Sequence, residues 1–276
     1  MITIKVLLEN TKIDNTFKND HGLSIYIENG IQNLLLDVGT DNKFLQNAEI
    51  LDIDITKIDN LLLSHSHIDH TGGLDAFCEV NKLAKIFLFD STDKLYYTKV
   101  FGIFNFQVGL KCSDLTKQRI STVSGKVQID EKTFFISCAV TDYPTPSLNK
   151  VLYMQKNNKK IIDTFEHEGI LVIENNNEFV VFNSCSHRGV INSIETVKRL
   201  FEGKKIRSYV GGFHFCNPFN NMHENDENLQ KFVDYFNDED IQLYTGHCTG
   251  DYSFNFIKER LGGKIHRIST GMQLNV

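Results

Sequence analysis

Short apolar runs that stop abruptly at glycine, asparagine or histidine recur along this chain, and they alternate with stretches whose apolar positions fall three and four apart. The opening "MITIKVLLENTKI" reads as a strand followed by a loop. "LSIYIENGIQNLLLDVGT" reads as two strands joined at Asn29-Gly30, a dipeptide that favours tight hairpins because both residues tolerate positive φ. "DNKFLQNAEILDID" puts Phe44, Ala48 and Leu51 on roughly one helical face. "IDNLLLSH" is a buried strand that stops at a cluster of histidines, "GGLDAFCEVNKLA" has helical spacing, and "KIFLFD" is the next strand.

A second half runs in the same order. "EGILVIENNNEFVVFNSCSH" is a hairpin turning at Asn175 to Asn177, and "GVINSIETVKRLFEG" is a helix closed by Gly203. "IRSYVGGFHF" is a strand, "NDENLQKFVDYFND" a helix and "IQLYTGHC" a strand. Strand hairpins followed by strand–helix–strand units, twice over, predict an α/β fold in which two mixed sheets pack face to face with helices outside, an αββα sandwich. No Pro/Gly/Ser-rich linker or low-complexity tract divides the chain, so residues 1–276 are expected to form a single domain. Residues 91–150 fit the pattern less well. Their periodicity is weak, and the stretch reads as an elaboration beside the core that supplies one wall of a pocket.

Composition narrows the function classes. At 276 residues, with 41% hydrophobic and 23% charged positions, the chain can bury a substantial core. A formal net charge of −6 argues against a nucleic-acid binder working through a broad basic face. It leaves room for a phosphorylated small substrate held by one or two local cations. No signal peptide is apparent, no stretch approaches a membrane span, and the six cysteines lie far apart with no CxxC pair. Free thiols in a cytoplasmic protein are the expectation.

The chemistry concentrates in "SHSHIDH". His65 and His67 alternate at a strand end and so point the same way; Asp69 continues that phase, and His70 follows where the chain turns into Thr71-Gly72-Gly73. One loop is thereby able to serve two neighbouring metal ions, His65 and His67 for the first, Asp69 and His70 for the second. Imidazole and carboxylate suit zinc, with manganese or iron as alternatives. Further donors emerge at other strand ends: His187 in "FVVFNSCSHRG", His247 in "IQLYTGHCTG" and His214 in "YVGGFHF". His21 in "DHGLS" and Arg188 beside His187 are weaker candidates for the pocket, whereas His167, His223 and His266 sit in polar contexts and read as surface residues.

HxHxDH followed by two strand-end histidines in an αββα sandwich resembles the metallo-β-lactamase superfamily. "DHGLSIYIE", the stretch from "LLLDVGT" to "HIDHTGGL", "NSCSHRGVIN", "GGFHF" and "GHCTG" look like the branch that includes the dihydropteroate-synthase-like and dihydropterin-aminobenzene-phosphate synthase-like proteins. These blocks extend from about residue 20 to residue 250. The resemblance implies His65, His67 and His187 on one metal and Asp69, His70 and His247 on the other. It places Asp37 behind the metal loop, where a carboxylate orients a ligand imidazole. Where many dinuclear members carry a bridging Asp, this chain has Cys185, which reads as a small buried residue, a thiolate ligand being the alternative.

One or two divalent ions with an open position would supply hydroxide from water at neutral pH. The expected activity is a metal-dependent hydrolase acting on an ester, lactone, thioester or phosphoester of a small molecule, with Asp69 and His214 as catalytic groups. The branch implies a second activity, transfer from a pterin diphosphate to an aminobenzene-type nucleophile. A non-catalytic metal-binding module is the reading of another class. The expected partner is a small molecule, phosphorylated or pterin-like, with no nucleic acid and no membrane; homo-oligomerisation stays open.

Overall fold

The computed structural model describes residues 1–276 apart from 90, 91, 101, 102, 219 and 221. Positions 91, 101 and 102 of the 91–150 stretch thus lie outside the described residues. Two seven-stranded sheets form the centre. The first runs, edge to edge, through Gln273–Asn275, Thr3–Leu8, Ser24–Glu28, Asn33–Leu36, Asn60–Leu63, Lys85–Phe89 and Ile120–Val123. The second runs through Ile265–Arg267, Gln242–Thr245, Lys205–Val210, Glu178–Phe182, Gly169–Asn175, Thr133–Ser137 and Lys126–Asp130. Each sheet opens antiparallel through a hairpin and becomes parallel where helices cross over, which is the two-fold pattern expected from the sequence.

The turns follow their residues. Gly30 lies at φ +82°, and the Asn29 side chain accepts from the N–H groups of Ile31 and Gln32. Asn176 and Asn177 both have positive φ, 51° and 66°, as a two-residue hairpin loop with primed geometry requires. Asn60–Leu63 is buried at every residue, because a central parallel strand is covered on both faces; hence its continuous apolar run.

Three apolar clusters fill the layers. Ile25, Leu34, Leu36 and Leu62 of the first sheet meet Leu171, Val180, Phe182 and Val210 of the second between the sheets. Helices Lys43–Ile50 and Leu74–Val80 bury Phe44, Leu74 and Phe77 against the outer face of the first sheet. Helices Val190–Leu200, Asp226–Asn237 and Asp251–Leu261 bury Ile194, Phe232 and Ile257 against the second. The molecule is the expected αββα sandwich. Among the described residues no helix is long and apolar enough to cross a membrane.

The 91–150 stretch divides. Ile120–Val123, Lys126–Asp130 and Thr133–Ser137 complete the edges of the two main sheets. Tyr96–Val100 and Phe104–Gln107 instead join Leu152–Lys156 and Lys159–Ile162 in a separate four-stranded sheet. Tyr96 of that small sheet lies 6.1 Å from the His67 ring and 4.2 Å from that of His167, so the sheet borders the place where the histidines converge.

Candidate metal centre

Every candidate ligand emerges beyond the carboxyl end of a strand in the parallel part of a sheet, the place where open α/β sheets leave side chains free to meet. Asp37 follows Asn33–Leu36, His65 and His67 follow Asn60–Leu63, Cys185 and His187 follow Glu178–Phe182, His214 follows Lys205–Val210, and His247 follows Gln242–Thr245. Four residues here, Asp37, Ser186, His214 and His247, hold positive φ between 50° and 60°. Each such non-glycine conformation costs on the order of 1–3 kcal/mol and persists only where the surroundings over-determine it.

The histidine loop departs from the expected strand phase at one point. The chain turns helical at Ile68–Thr71, with His67 as the residue before the first turn. Asp69 and His70 therefore project from a helical turn instead of alternating. Gly72 and Gly73 permit this, since a Cβ on Gly72 would stand 2.0 Å from the Thr40 carbonyl oxygen and one on Gly73 2.4 Å from that of Val38.

Three imidazoles form the first cluster. The rings of His65, His67 and His187 stand 4.6, 4.9 and 5.0 Å apart in edge-to-face arrangement. Their Nε2 atoms are all buried and have no hydrogen-bond partner among the described residues. The other nitrogen is occupied in two of them. His65 Nδ1 lies 2.9 Å from Ser64 Oγ, whose proton goes to Asp37 Oδ2 at 2.7 Å, so the imidazole donates and keeps its Nε2 lone pair free. His187 Nδ1 donates to Asn149 Oδ1 at 3.1 Å while its ring stacks on Phe165 at 4.4 Å. Burial, reinforced by the neighbouring imidazoles, pushes His65 and His187 well below the usual histidine range. Burial also takes His67 down to about 3. Three neutral rings with unspent lone pairs are what a cation needs, so these residues fit a divalent metal.

The second cluster is acidic at its centre. Asp69 Oδ2 lies 3.4 Å from His70 Nε2, 3.3 Å from His247 Nε2 and 3.4 Å from His21 Nε2. His70 and His247 approach each other nitrogen to nitrogen at 3.2 Å. Burial opposes ionisation of both Asp69 and His70, yet mutual attraction wins: Asp69 is held well below its ordinary value, and the carboxylates of Asp69 and Asp37 raise His70 to about 10. The cluster attracts positive charge. Asp37 is fully buried and accepts from His70 Nδ1 at 2.8 Å, from Ser64 N–H at 2.7 Å and from Ser64 Oγ. It thus contacts His70 directly and His65 through Ser64. Asn10 Oδ1 accepts from His247 Nδ1 at 3.0 Å, and Glu9 holds the His247 N–H at 2.5 Å.

The structure brings together every predicted site residue. Asp69 and His214 line one cavity with His67, His187 and His247. His214 rests 4.1 Å from the His187 ring with its Nδ1 buried and unpartnered. The weaker candidate His21 lines the cavity as well, whereas Arg188 is absent from its lining and its guanidinium reaches the Thr164 carbonyl oxygen at 3.4 Å.

His167 corrects the surface expectation. It is 1% exposed, accepts from Ser66 N–H through Nδ1 at 3.0 Å and pairs through Nε2 with buried Asp163 at 3.1 Å. The acidic neighbours Glu166 and Glu168 conceal this; Asp163, four residues earlier, was a usable signal, whereas Ser66 arrives from a distant loop. His223 is exposed and stacked on Tyr252, and His266 is half-buried against Tyr244. Sequence reasoning also missed Glu9 and Asn10, although a polar pair directly behind an apolar strand was a usable signal. Asn149 offered none.

Comparison with known proteins points to the same fold. The family model described as the metallo-beta-lactamase superfamily matches residues 18–86. The 7,8-dihydropterin-6-methyl-4-(beta-D-ribofuranosyl)-aminobenzene-5'-phosphate synthase of Methanocaldococcus jannaschii is 26% identical over 94% of this chain and 90% of its own length. A crystal structure described as a metal-dependent hydrolase of the beta-lactamase superfamily superposes with a TM-score of 0.82 at 26% identity, covering 100% of this chain and 99% of that one. The metallo-beta-lactamase fold protein YhfI from Bacillus subtilis shares the fold at a TM-score of 0.57 and 12% identity, covering 100% of both chains.

Proposed function

From a metallo-β-lactamase fold whose strand tips gather two clusters of donor side chains, we propose that this chain is a metal-dependent hydrolase of a small molecule. The observation that carries the reading is the set of three buried, unpartnered Nε2 atoms on His65, His67 and His187. His65, His67 and His187 would hold one ion, and Asp69, His70 and His247 a second. A divalent ion there supplies a Lewis acid and brings the pKa of a bound water towards 7.

The remaining work falls to the chain's own groups. Asp69 is the carboxylate facing the cavity, and its Oδ2, shared among three imidazoles, orients the attacking water and accepts its proton. His214, across the cavity with an uncommitted Nδ1, donates a proton to the leaving group. Ser64, Asp37, Asn149 and Asn10 keep the imidazoles in their ligating orientation. The cavity of about 120 Å³ is walled opposite the histidines by Thr98, Val108, Leu148, Val151 and Leu152. The four aliphatic side chains among them exclude water and accept a small, largely apolar acyl or ring group. Among the described residues no Lys or Arg lines the cavity, which favours an ester, lactone or thioester over a polyanion.

The similarity to the pterin-aminobenzene-phosphate synthase supports a second reading, in which the same metal box assists pyrophosphate departure while an aminobenzene-type nucleophile attacks. Zinc is the ion proposed, with manganese or iron as alternatives for the same donors. A screen of esters, lactones, thioesters and phosphoesters with each metal added back tests the first reading. Pyrophosphate release from a pterin diphosphate plus an aminobenzene tests the second. A metal-loaded protein inert in both assays would contradict both and leave a non-catalytic binding module.

A further inference from the structure

Cys185 is 2% exposed at the tip of the strand Glu178–Phe182, yet its neighbours are not those of a core filler. Its Sγ lies 3.1 Å from His70 Nε2 and 3.5 Å from the Sγ of Cys248. Its sulfur forms one group of donors with His65 and His187 and another with His70 and His247, the donor atoms of each group lying within 4.8 Å of one another. One thiol therefore faces both clusters. The second observation is independent of the sulfur: the Nε2 atoms of His65 and His187, on residues 0% and 1% exposed, have no partner among the described residues, and both residues belong to one group of donors with it.

We propose that Cys185 is a metal ligand that bridges the two ions as a thiolate between His65/His67/His187 and Asp69/His70/His247. The proposal rests on the metal-centre reading above and adds a donor to it. On binding, the thiol proton passes to solvent and the sulfur lone pairs turn to the ions. A bridging thiolate softens an otherwise nitrogen and oxygen donor set, so the centre favours zinc, cobalt or iron over manganese and magnesium. Cys248 is the only competing thiol within reach of Cys185 among the described residues. It accepts from His214 N–H at 3.2 Å and belongs to neither group of donors.

The test is the absorption spectrum of the full chain loaded with cobalt(II), with bound cobalt counted by elemental analysis. A coordinated thiolate gives a near-ultraviolet sulfur-to-cobalt charge-transfer band that histidine and carboxylate donors do not give. The wild-type protein should show it, Cys185→Ser and Cys185→Ala should lose it while still binding cobalt, and Cys248→Ala should retain it. Wild-type protein that binds cobalt without the band would overturn the proposal, with no variant needed, and would leave the histidine centre intact. A band that survives in Cys185→Ser, or disappears in Cys248→Ala, would overturn it by assigning the sulfur elsewhere. Failure of wild-type protein to bind cobalt, zinc or iron at all would overturn the metal-centre reading and this proposal with it.

Discussion

Asp37 offers the sharpest perturbation, because one buried carboxylate serves both clusters and touches no cavity surface. Its Oδ1 accepts from Ser64 N–H, and its Oδ2 accepts from both Ser64 Oγ and His70 Nδ1. Asp37→Asn keeps the shape and replaces one acceptor by a donor. If the amide nitrogen takes the Oδ1 place it meets the Ser64 N–H. If it takes the Oδ2 place it meets His70, whose Nδ1 must then accept, moving the proton to Nε2, where a ligand lone pair is needed. The first arrangement leaves a buried donor unmet, a cost of about 1–3 kcal/mol, and the second puts the His70 proton where a ligand lone pair is needed. Loss of such an orienting partner lowers metal affinity by roughly 10- to 100-fold. Competition titration with a chromophoric zinc chelator reads this directly, and a urea melt of the metal-free protein separates it from general destabilisation. A zinc affinity within about threefold of wild type in Asp37→Asn would refute the reasoning, since a tenfold loss is the smallest effect expected of an orienting carboxylate.

Other outcomes follow from the same geometry. His67→Ala removes one of three converging Nε2 atoms and should abolish metal retention in the first cluster together with any hydrolysis; elemental analysis of the purified variant checks it, and unchanged metal content would count against the assignment. His167→Ala leaves Asp163 buried without its partner and Ser66 N–H without an acceptor, which should destabilise the fold by about 3–5 kcal/mol in urea unfolding. A loss below about 1 kcal/mol would show that the pair does not brace the loop. In chelator-treated protein, burial holds His65, His67 and His187 below their unfolded values, so the unfolded chain binds more protons than the fold once the pH drops below about 6.5. Their neutral-state stability is present above that pH and should fall by roughly 1.4 kcal/mol per pH unit for each ring as pH declines towards 5. His70, raised to about 10, is protonated in the fold throughout this window and adds no opposing slope below about 6.5. A urea midpoint unchanged between pH 6.5 and pH 5 would contradict the burial argument.

The layered core was readable because central strands and crossover helices each carry one dominant period. Asn60–Leu63 shows an unbroken apolar run since both its faces are covered, and Val190–Leu200 shows a clean stripe since one face packs on the sheet. The small four-stranded sheet was not readable. Its outer strands, Phe104–Gln107 and Lys159–Ile162, are exposed at every residue, so no alternation separates an inside from an outside. The helix Asp251–Leu261 did carry a signal, with buried Ser253, Ile257 and Leu261 spaced four apart, although its polar flanks obscured it. At the site, residues clustered in one loop or following an apolar strand could be found from their spacing. Asn149, which acts by reaching across the fold to His187, could not, because nothing in a local window records a partner dozens of positions away.

The central claim is that three histidines from two different strands surround one ion. Diffraction from zinc-loaded crystals at the zinc absorption edge tests it most directly. An anomalous peak is expected about 2.0–2.1 Å from Nε2 of His65, His67 and His187. A zinc-loaded crystal with no peak between those three nitrogens, or with the ion bound elsewhere, would contradict it.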